Sequence, residues 1–180
     1  MPDAQIDQTD TILLLLAAET ADPKQRFRSD GITRLEKLLF LLDRETEFKD
    51  EVAEPFTFEA YHYGPYSADV YDAVDFLKAL RLLDERQIDV ASGMDVSEEA
   101  EVLDSTDFNQ PNAYIERQLF LTEDGKAVAQ VLSTRVSPAG KAALTEVKDR
   151  YGSMPLRQLL RYVYSRYPEF TENSRIRHAL

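Results

Sequence analysis

The spacing of leucines in ITRLEKLLFLLDRE, from Ile32 to Glu45, constrains the fold more than any other feature of this chain. Four leucines share one helical face at i, i+3, i+4 and i+7 spacing, namely Leu35, Leu38, Leu39 and Leu42. Phe40 and Leu41 make this face wider than a surface helix needs. The pattern therefore predicts a helix at the centre of the core. Thr33 and Glu36 have capping-box spacing and Asp30 is a rival N-cap, so two starts of this helix remain open.

The segment FTFEAYHYGPYSADVYDAVDFLKALRLL, from Phe56 to Leu83, follows this helix. Its first part alternates with period two and predicts a strand that Gly64-Pro65 ends. Ser67 is then expected to cap a helix. The apolar side chains expected on the inner side of that helix are Val70, Ala73, Val74, Leu77 and Leu80. Asp72, Asp75 and Ala79 are expected on the opposite side.

The flanking sequence predicts four more helices and a hairpin. Thr9 or Asp10 is expected to cap a first helix that contains Ile12 to Ala18. Two alternating stretches, residues 87–90 and 114–121, predict a hairpin with the acidic segment 92–112 at its tip. Thr122 is expected to cap a helix that buries Ala127, Val128 and Val131. A helix from Pro138 to about Tyr151 and another capped by Ser153 complete the pattern.

This order of elements predicts an α+β fold that is mostly α-helical, namely a winged-helix-like domain with a small β-hairpin and a C-terminal helical extension. A chain of 180 residues has the size of one domain. We expect residues 1–150 to form the winged-helix-like domain. Residues 151–180 are expected to form a C-terminal helix and tail that pack on the same domain.

Composition indicates a soluble cytoplasmic protein. The chain has no cysteine, which argues against a disulfide framework or a thiolate metal site. Its longest apolar run, Ile12 to Ala18, is far shorter than the roughly 20 residues of a membrane-spanning helix. The N-terminal MPDAQIDQTD is acidic where a signal peptide is basic. Acid excess with few lysines also suits a salt-adapted prokaryotic cytosol, although an ordinary acidic protein explains it equally well.

Net charge argues against polyanionic partners. The chain carries 33 acidic and 21 basic residues, a net charge of −12, and such a charge repels nucleic-acid backbones and anionic membranes. The segment 92–112 contains six acids and no base, whereas residues 149–180 contain six arginines against three acids. DNA binding is therefore disfavoured but is not excluded at the C-terminal end.

No catalytic constellation is evident. The two histidines, His62 and His178, lie far apart in sequence, and no P-loop, G-x-G-x-x-G or G-x-S-x-G motif occurs. We therefore expect no enzyme activity, no cofactor and no metal site. An all-carboxylate metal site stays open as an alternative, because the chain is rich in Asp and Glu although no pattern selects a set.

Tyrosines around the Gly-Pro turn suggest a partner-binding surface. Aromatic rings with a polar tip are enriched in interfaces because they bury a large area at low entropic cost. With the acids of the next helix, the candidate partner-binding residues are Tyr61, Tyr63, Tyr66, Asp69 and Asp72. The alternative is that these tyrosines, and Tyr162, Tyr164 and Tyr167, only pack two segments together.

A winged helix also suggests DNA binding, which requires basic residues on the reading helix and wing. Here both elements are acidic. Contact with DNA would have to come from Lys24, Arg26, Arg28 and Arg34, or from the arginines of the last segment, among them Arg157 and Arg161.

Two motifs resemble the Panacea domain, whose members include antitoxins that neutralise toxins by direct contact. Lys37-Leu38 matches its helical motif, and Glu59-Ala60, Gly64-Pro65 and Val70-Tyr71 match its later E-A-x-x-x-G-P segment. The segment from Met154 to Ile176 is similar to the C-terminal end of YwgA-like proteins. The resemblance implies a non-enzymatic regulatory or interaction module, antitoxin-like, that binds a protein partner. The alternative function is a winged-helix transcriptional regulator.

Overall fold

A computed structural model describes residues 5–62, 64–89 and 115–174. In these ranges the chain is mostly helical with a small antiparallel sheet, as an α+β fold requires. The helices are α1 (Gln8–Ala17), α2 (Ile32–Glu45), α3 (Ala68–Ala79), α4 (Glu123–Ser133), α5 (Pro138–Tyr151) and α6 (Leu156–Arg166). The strands are β1 (Arg28–Asp30), β2 (Glu59–Tyr61), β3 (Gly64–Tyr66), β4 (Leu83–Asp89) and β5 (Ile115–Leu121). Short 3-10 turns span Pro23–Gln25, Glu47–Glu51 and Pro168–Phe170.

Helix α1 begins earlier than the sequence indicates. Its N-cap is Asp7, whose carboxylate accepts a 2.7 Å hydrogen bond from the Asp10 amide. The Asp10 side chain in turn accepts from the Asp7 amide, so Asp10 completes the capping box from inside the helix. The predictions of Thr9 or Asp10 as N-cap were therefore wrong. Every side chain from Thr11 to Leu16 is buried, which confirms the predicted core helix.

Helix α2 lies at the centre of the core, as its leucines predicted. All residues from Arg34 to Leu42 are buried, and the helix contacts α5, α6 and β1. Its N-cap is Gly31, whose φ of 95° favours glycine and whose position provides no side-chain cap. Neither the Thr33–Glu36 capping box nor an Asp30 cap forms. The Glu36 carboxylate is used elsewhere in the interior.

The main sheet has the strand order β1-β5-β4, and all its pairs are antiparallel. Leu83 pairs with Leu121 and Asp89 with Ile115, so the two predicted alternating stretches do form a hairpin. Its first strand begins at Leu83 rather than near Gln87, because the chain is extended from the end of the turn after α3. The acidic segment 92–112 lies outside the described residues.

A second, two-stranded sheet forms where one strand was predicted. Gly64-Pro65 does not end the strand but begins β3, which pairs antiparallel with β2. The φ of Gly64 is 86°, and a Cβ at this position would lie 2.7 Å from Cε1 of Tyr164. Glycine therefore allows both the reversal of the chain and the close approach of α6.

The remaining helices follow the predicted pattern with four corrections, one of which is that Ala127, expected inside, is exposed. Thr122 caps α4 through a bond from the Gly125 amide, and α5 covers the expected range. Leu80 and Val131, expected inside, are 51% and 60% exposed. Ser153 does not cap α6, whose N-cap is Pro155.

The C-terminal segment packs on the same core as the rest of the chain. Leu156, Leu159, Leu160 and Val163 of α6 are buried and belong to one hydrophobic cluster with α1 and α2. The Lys148 ammonium, buried in α5, donates hydrogen bonds to the carbonyls of Leu16 and Gln25. None of the helices in the described ranges is both long and apolar enough to cross a bilayer.

Candidate functional site

A buried ion pair on α2 holds the β3 segment in place. Lys37 and Glu36 are 0% and 3% exposed, and their charged groups lie 2.6 Å apart. The Lys37 ammonium donates a 2.7 Å bond to the Pro65 carbonyl, and the Glu36 carboxylate accepts a 2.8 Å bond from the Ser67 amide. A buried ion pair persists only when further hydrogen bonds satisfy it. Both charged groups form these bonds with the backbone of residues 65–67, so α2 fixes the position of β3 and the start of α3.

Three tyrosine rings lie next to one another on the surface near this ion pair. We call them the tyrosine row. The ring centroids of Tyr61 and Tyr66 are 4.9 Å apart, and those of Tyr66 and Tyr71 are 5.4 Å apart. The His62 ring lies 4.1 Å from that of Tyr61 and extends the row at one end. Tyr61 is 44% exposed. The row therefore presents aromatic surface to solvent along β2, β3 and the first turn of α3.

Acidic side chains surround this row. Desolvation raises the pKa of the Tyr66 hydroxyl, and the charges of Glu36, Glu59 and Asp72 raise it further. Asp72 is exposed on α3. A raised pKa keeps the phenol protonated, so Tyr66 stays a hydrogen-bond donor over the physiological range.

Asp69 has a different role from Asp72. Its carboxylate accepts a 2.9 Å bond from the Thr57 amide and a 3.5 Å bond from the side chain of Gln8. Asp69 therefore ties the start of α3 to the segment before β2 and to α1. Of the two candidate aspartates, only Asp72 is exposed.

The outer side of α3 continues this surface. Asp72, Phe76 and Leu80 lie one helical turn apart in a single row, with Asp75 beside them. Phe76 is 55% and Leu80 51% exposed. Neither apolar side chain was predicted as a site residue, although DAVDFLKAL places Phe76 on the same side as Asp72. The tyrosine row and this side of α3 together form what we call the tyrosine–acidic surface.

The C-terminal segment packs against the β2–β3 hairpin, which carries part of the tyrosine–acidic surface. The Tyr164 ring lies against Gly64, and the side chain of Asn173 donates a 3.2 Å bond to the Ala60 carbonyl. Tyr164, from the C-terminal group of tyrosines, thus contacts the β2–β3 hairpin that carries Tyr61 and Tyr66. Tyr63, the remaining candidate, lies outside the described residues.

A carboxylate at the end of α2 anchors the same C-terminal segment. Glu45 accepts hydrogen bonds from the hydroxyls of Tyr162 at 2.6 Å and Tyr167 at 3.1 Å, and a third from Tyr151. Desolvation, followed by the charge of Glu45, raises the pKa of Tyr167 to about 12. Desolvation and the bond to Glu45 also raise the pKa of Tyr151. The three hydrogen bonds to Glu45 hold α5 and α6 against α2.

The first three candidate arginines occupy different environments. Arg26 is exposed, and its guanidinium lies 4.7 Å from the centre of the Phe27 ring. Arg28 is half-buried, with its Nε 3.8 Å from the carboxylate of Asp30. Arg34 is 9% exposed and donates to the carbonyls of Gly152 and Met154. Arg34 therefore closes the end of α5 in the interior and lies outside any exposed cationic surface.

The other two arginines lie on a different element. Arg157 and Arg161 are exposed one turn apart on α6, a helix that carries three arginines and no acid. The structure therefore does not bring the five candidate arginines into one surface.

Within residues 5–62, 64–89 and 115–174, no three His, Asp or Glu side chains are arranged to hold a metal ion. His62 is half-buried next to Tyr61, and His178 lies outside the described residues.

No family model, curated protein or solved structure matches this chain.

Proposed function

We propose that this protein is a non-enzymatic regulatory module that binds a protein partner through the tyrosine–acidic surface. The observation that carries the proposal is the exposure of Tyr61, Phe76 and Leu80 together with the row of adjacent, mutually tilted tyrosine rings. Exposed aromatic groups close to one another are characteristic of interface centres. The surrounding carboxylates favour a partner whose contact surface carries Arg or Lys.

We also propose that the fold is a winged helix with a C-terminal extension. What supports this is the element order α1-β1-α2-β2-β3-α3-β4-β5, with β5 between β1 and β4 in the main sheet. In such a fold α3 takes the place of the helix that reads DNA. The carboxylates of Asp72 and Asp75 on this helix would repel phosphates, so the same surface suits a cationic protein better than DNA.

An antitoxin-like role follows from the resemblance to the Panacea domain and from the motif residues. Lys37 and Gly64-Pro65, which carry that resemblance, shape the backbone under the tyrosine–acidic surface. Such a module would neutralise its partner by covering a functional surface of that partner. A small, basic partner would complement the net charge of −12.

Affinity purification from the native host tests this proposal. The tagged wild-type protein should retain a specific protein that a Tyr61→Ser/Phe76→Ser double variant loses. A matched control is Val131→Ser, which removes an equally exposed apolar side chain from α4. Retention of the same protein by wild type and double variant, or tight sequence-specific DNA binding at physiological salt with no protein retained, would contradict the proposal.

The second candidate is a winged-helix transcriptional regulator. The exposed Arg157 and Arg161, on a helix without acids, favour it. DNA binding through this helix would weaken steeply with rising salt and would be abolished by Arg161→Glu. An electrophoretic mobility-shift series at several salt concentrations distinguishes this candidate from the first.

A further inference from the structure

A groove of about 700 Å³ lies between the C-terminal end of α1, helix α4 and helix α5, and none of its lining residues belongs to the tyrosine–acidic surface. Both α4 and α5 contact α1. Apolar side chains contributed by the three helices and by the connection before β1 line the groove, including Leu14, Ala17, Phe27, Ala127 and Leu144. A groove of this volume has the size of sites that hold small organic molecules.

Cations outnumber acids in this groove, although the chain as a whole is strongly acidic. Arg26, Lys126 and Lys141 line it together with Glu19 and Glu123. The Lys126 ammonium is paired with Glu123 at 2.8 Å. In the described part of the chain, neither Arg26 nor Lys141 has a carboxylate within ion-pair distance. The groove therefore carries one net positive charge that the protein does not neutralise locally.

Phe27 presents its ring to the groove from a strained backbone. Its φ is 67°, in the left-handed region that costs a non-glycine residue free energy. The conformation is held by the Phe27 amide, which donates to Leu16, and by its carbonyl, which accepts from Leu121, both at 2.8 Å. Arg26 and Lys126 lie over this ring at 4.7 and 4.8 Å. The strain thus brings an aromatic surface and two cations to one place.

We propose that this groove binds a small organic monoanion with an apolar body, such as an aromatic or aliphatic carboxylate or sulfonate. The apolar body would pack on Phe27, Ala127 and Leu144, and the anionic group would meet Arg26 and Lys141 at the rim. Charge-assisted hydrogen bonds from both cations select the anion over its neutral counterpart. One unneutralised positive charge matches a monoanion better than a polyphosphate.

Two fluorescent dyes with the same ring system test the proposal: 8-anilinonaphthalene-1-sulfonate, a monoanion, and N-phenyl-1-naphthylamine, its neutral counterpart. We expect saturable binding of one sulfonate dye per chain, with the neutral dye about tenfold weaker. Arg26→Gln and Lys141→Gln should each weaken binding of the sulfonate dye about three- to tenfold without changing that of the neutral dye. Ala127→Trp, which fills the groove from an exposed position, should abolish binding of both.

Two controls locate the dye. Lys24→Gln removes an exposed cation outside the groove lining and should leave both affinities unchanged. Phe76→Ser changes the tyrosine–acidic surface and should also leave them unchanged. The proposal is overturned by equal affinity for the two dyes, by binding that survives Ala127→Trp, by loss of binding in Phe76→Ser, or by no saturable binding at about 1 mM dye.

Discussion

The ammonium of Lys37 lies 2.7 Å from the carbonyl of Pro65, in the interior of the protein. This bond joins the central helix to the turn that carries the tyrosine row, so the core determines where the candidate interface lies. Glu36 completes the junction by accepting from the Ser67 amide. Both charged groups are buried, and each depends on the other for neutralisation.

Removing one member of this pair should therefore be costly. Lys37→Met leaves the Glu36 carboxylate buried without its counter-ion, and we expect a loss of about 3–5 kcal/mol in the free energy of unfolding. The double variant Glu36→Gln/Lys37→Met removes both charges and should lose clearly less. Urea denaturation gives the free energy of unfolding of the wild type and of these two variants. Lys126→Met, which breaks a partly exposed pair with Glu123, is the control and should cost under about 1 kcal/mol. A loss of similar size in Lys37→Met and in the control would contradict the stabilising role of the buried Lys37–Glu36 pair.

Gly64 should not tolerate a side chain. Gly64→Ala must accommodate both a φ of 86° and a Cβ 2.7 Å from the Tyr164 ring, and we expect a loss of about 2–4 kcal/mol. Removing the ring in Gly64→Ala/Tyr164→Ala relieves the overlap but not the backbone strain. A double-mutant cycle by thermal unfolding should therefore be non-additive, with the double variant more stable than the sum of the single losses predicts. Additive losses would show that the ring and the glycine do not interact.

Glu45 should control the ionisation of Tyr151 and Tyr167. Glu45→Gln removes a negative charge next to their hydroxyls, so the pKa of Tyr167, now about 12, should fall towards 10. Absorbance at about 295 nm during a pH titration reports tyrosinate formation, and the variant should form it at lower pH than the wild type. Glu47→Gln, at an exposed position in the next turn, is the matched control and should titrate like the wild type. Identical curves for Glu45→Gln and the wild type would rule out this network.

Lys148 should make stability depend on pH in the alkaline range. Burial, with a smaller effect of Arg26, lowers its pKa from 10.5 to about 7. Between these two values the unfolded chain binds more protons than the folded one, so the Lys148 contribution to stability increases as pH rises. We expect the difference in unfolding free energy between wild type and Lys148→Met to shift in favour of the wild type from pH 7 to 10, by up to about 1.4 kcal/mol per pH unit. A difference that does not change with pH would mean that Lys148 stays charged in the folded protein.

Periodic patterns in the sequence predicted the helices well because each apolar stripe lies within one element. Patterns within short stretches of sequence predicted the apolar stripe of α2, the cap of α4 by Thr122 and the pairing of β4 with β5. The Lys37–Pro65 bond and the three tyrosines on Glu45 join residues 28 to 122 positions apart. No local pattern records such contacts, which exist only once the core has formed. For the same reason Arg34 was grouped with exposed arginines although its guanidinium is buried.

The tyrosine–acidic surface was predicted in part. Tyr61, Tyr66 and Asp72 lie together as expected, whereas Asp69 holds α3 in place. Phe76 was missed because its exposure depends on the side of α3 that faces the core. Leu80 was assigned to the core because it follows Leu77 at i+3 spacing, but it lies at the C-cap of α3, one turn after Phe76, and is 51% exposed.

The most direct test of the central proposal is the dissociation constant of the captured protein partner for four purified forms of this chain, namely the wild type and three variants. For Tyr61→Ser and for Phe76→Ser we expect affinity to fall at least about tenfold, which corresponds to roughly 1.4 kcal/mol per side chain. The Val131→Ser control should bind like the wild type, and all three variants should unfold at the same temperature as the wild type. Unchanged affinity in both surface variants would contradict the account.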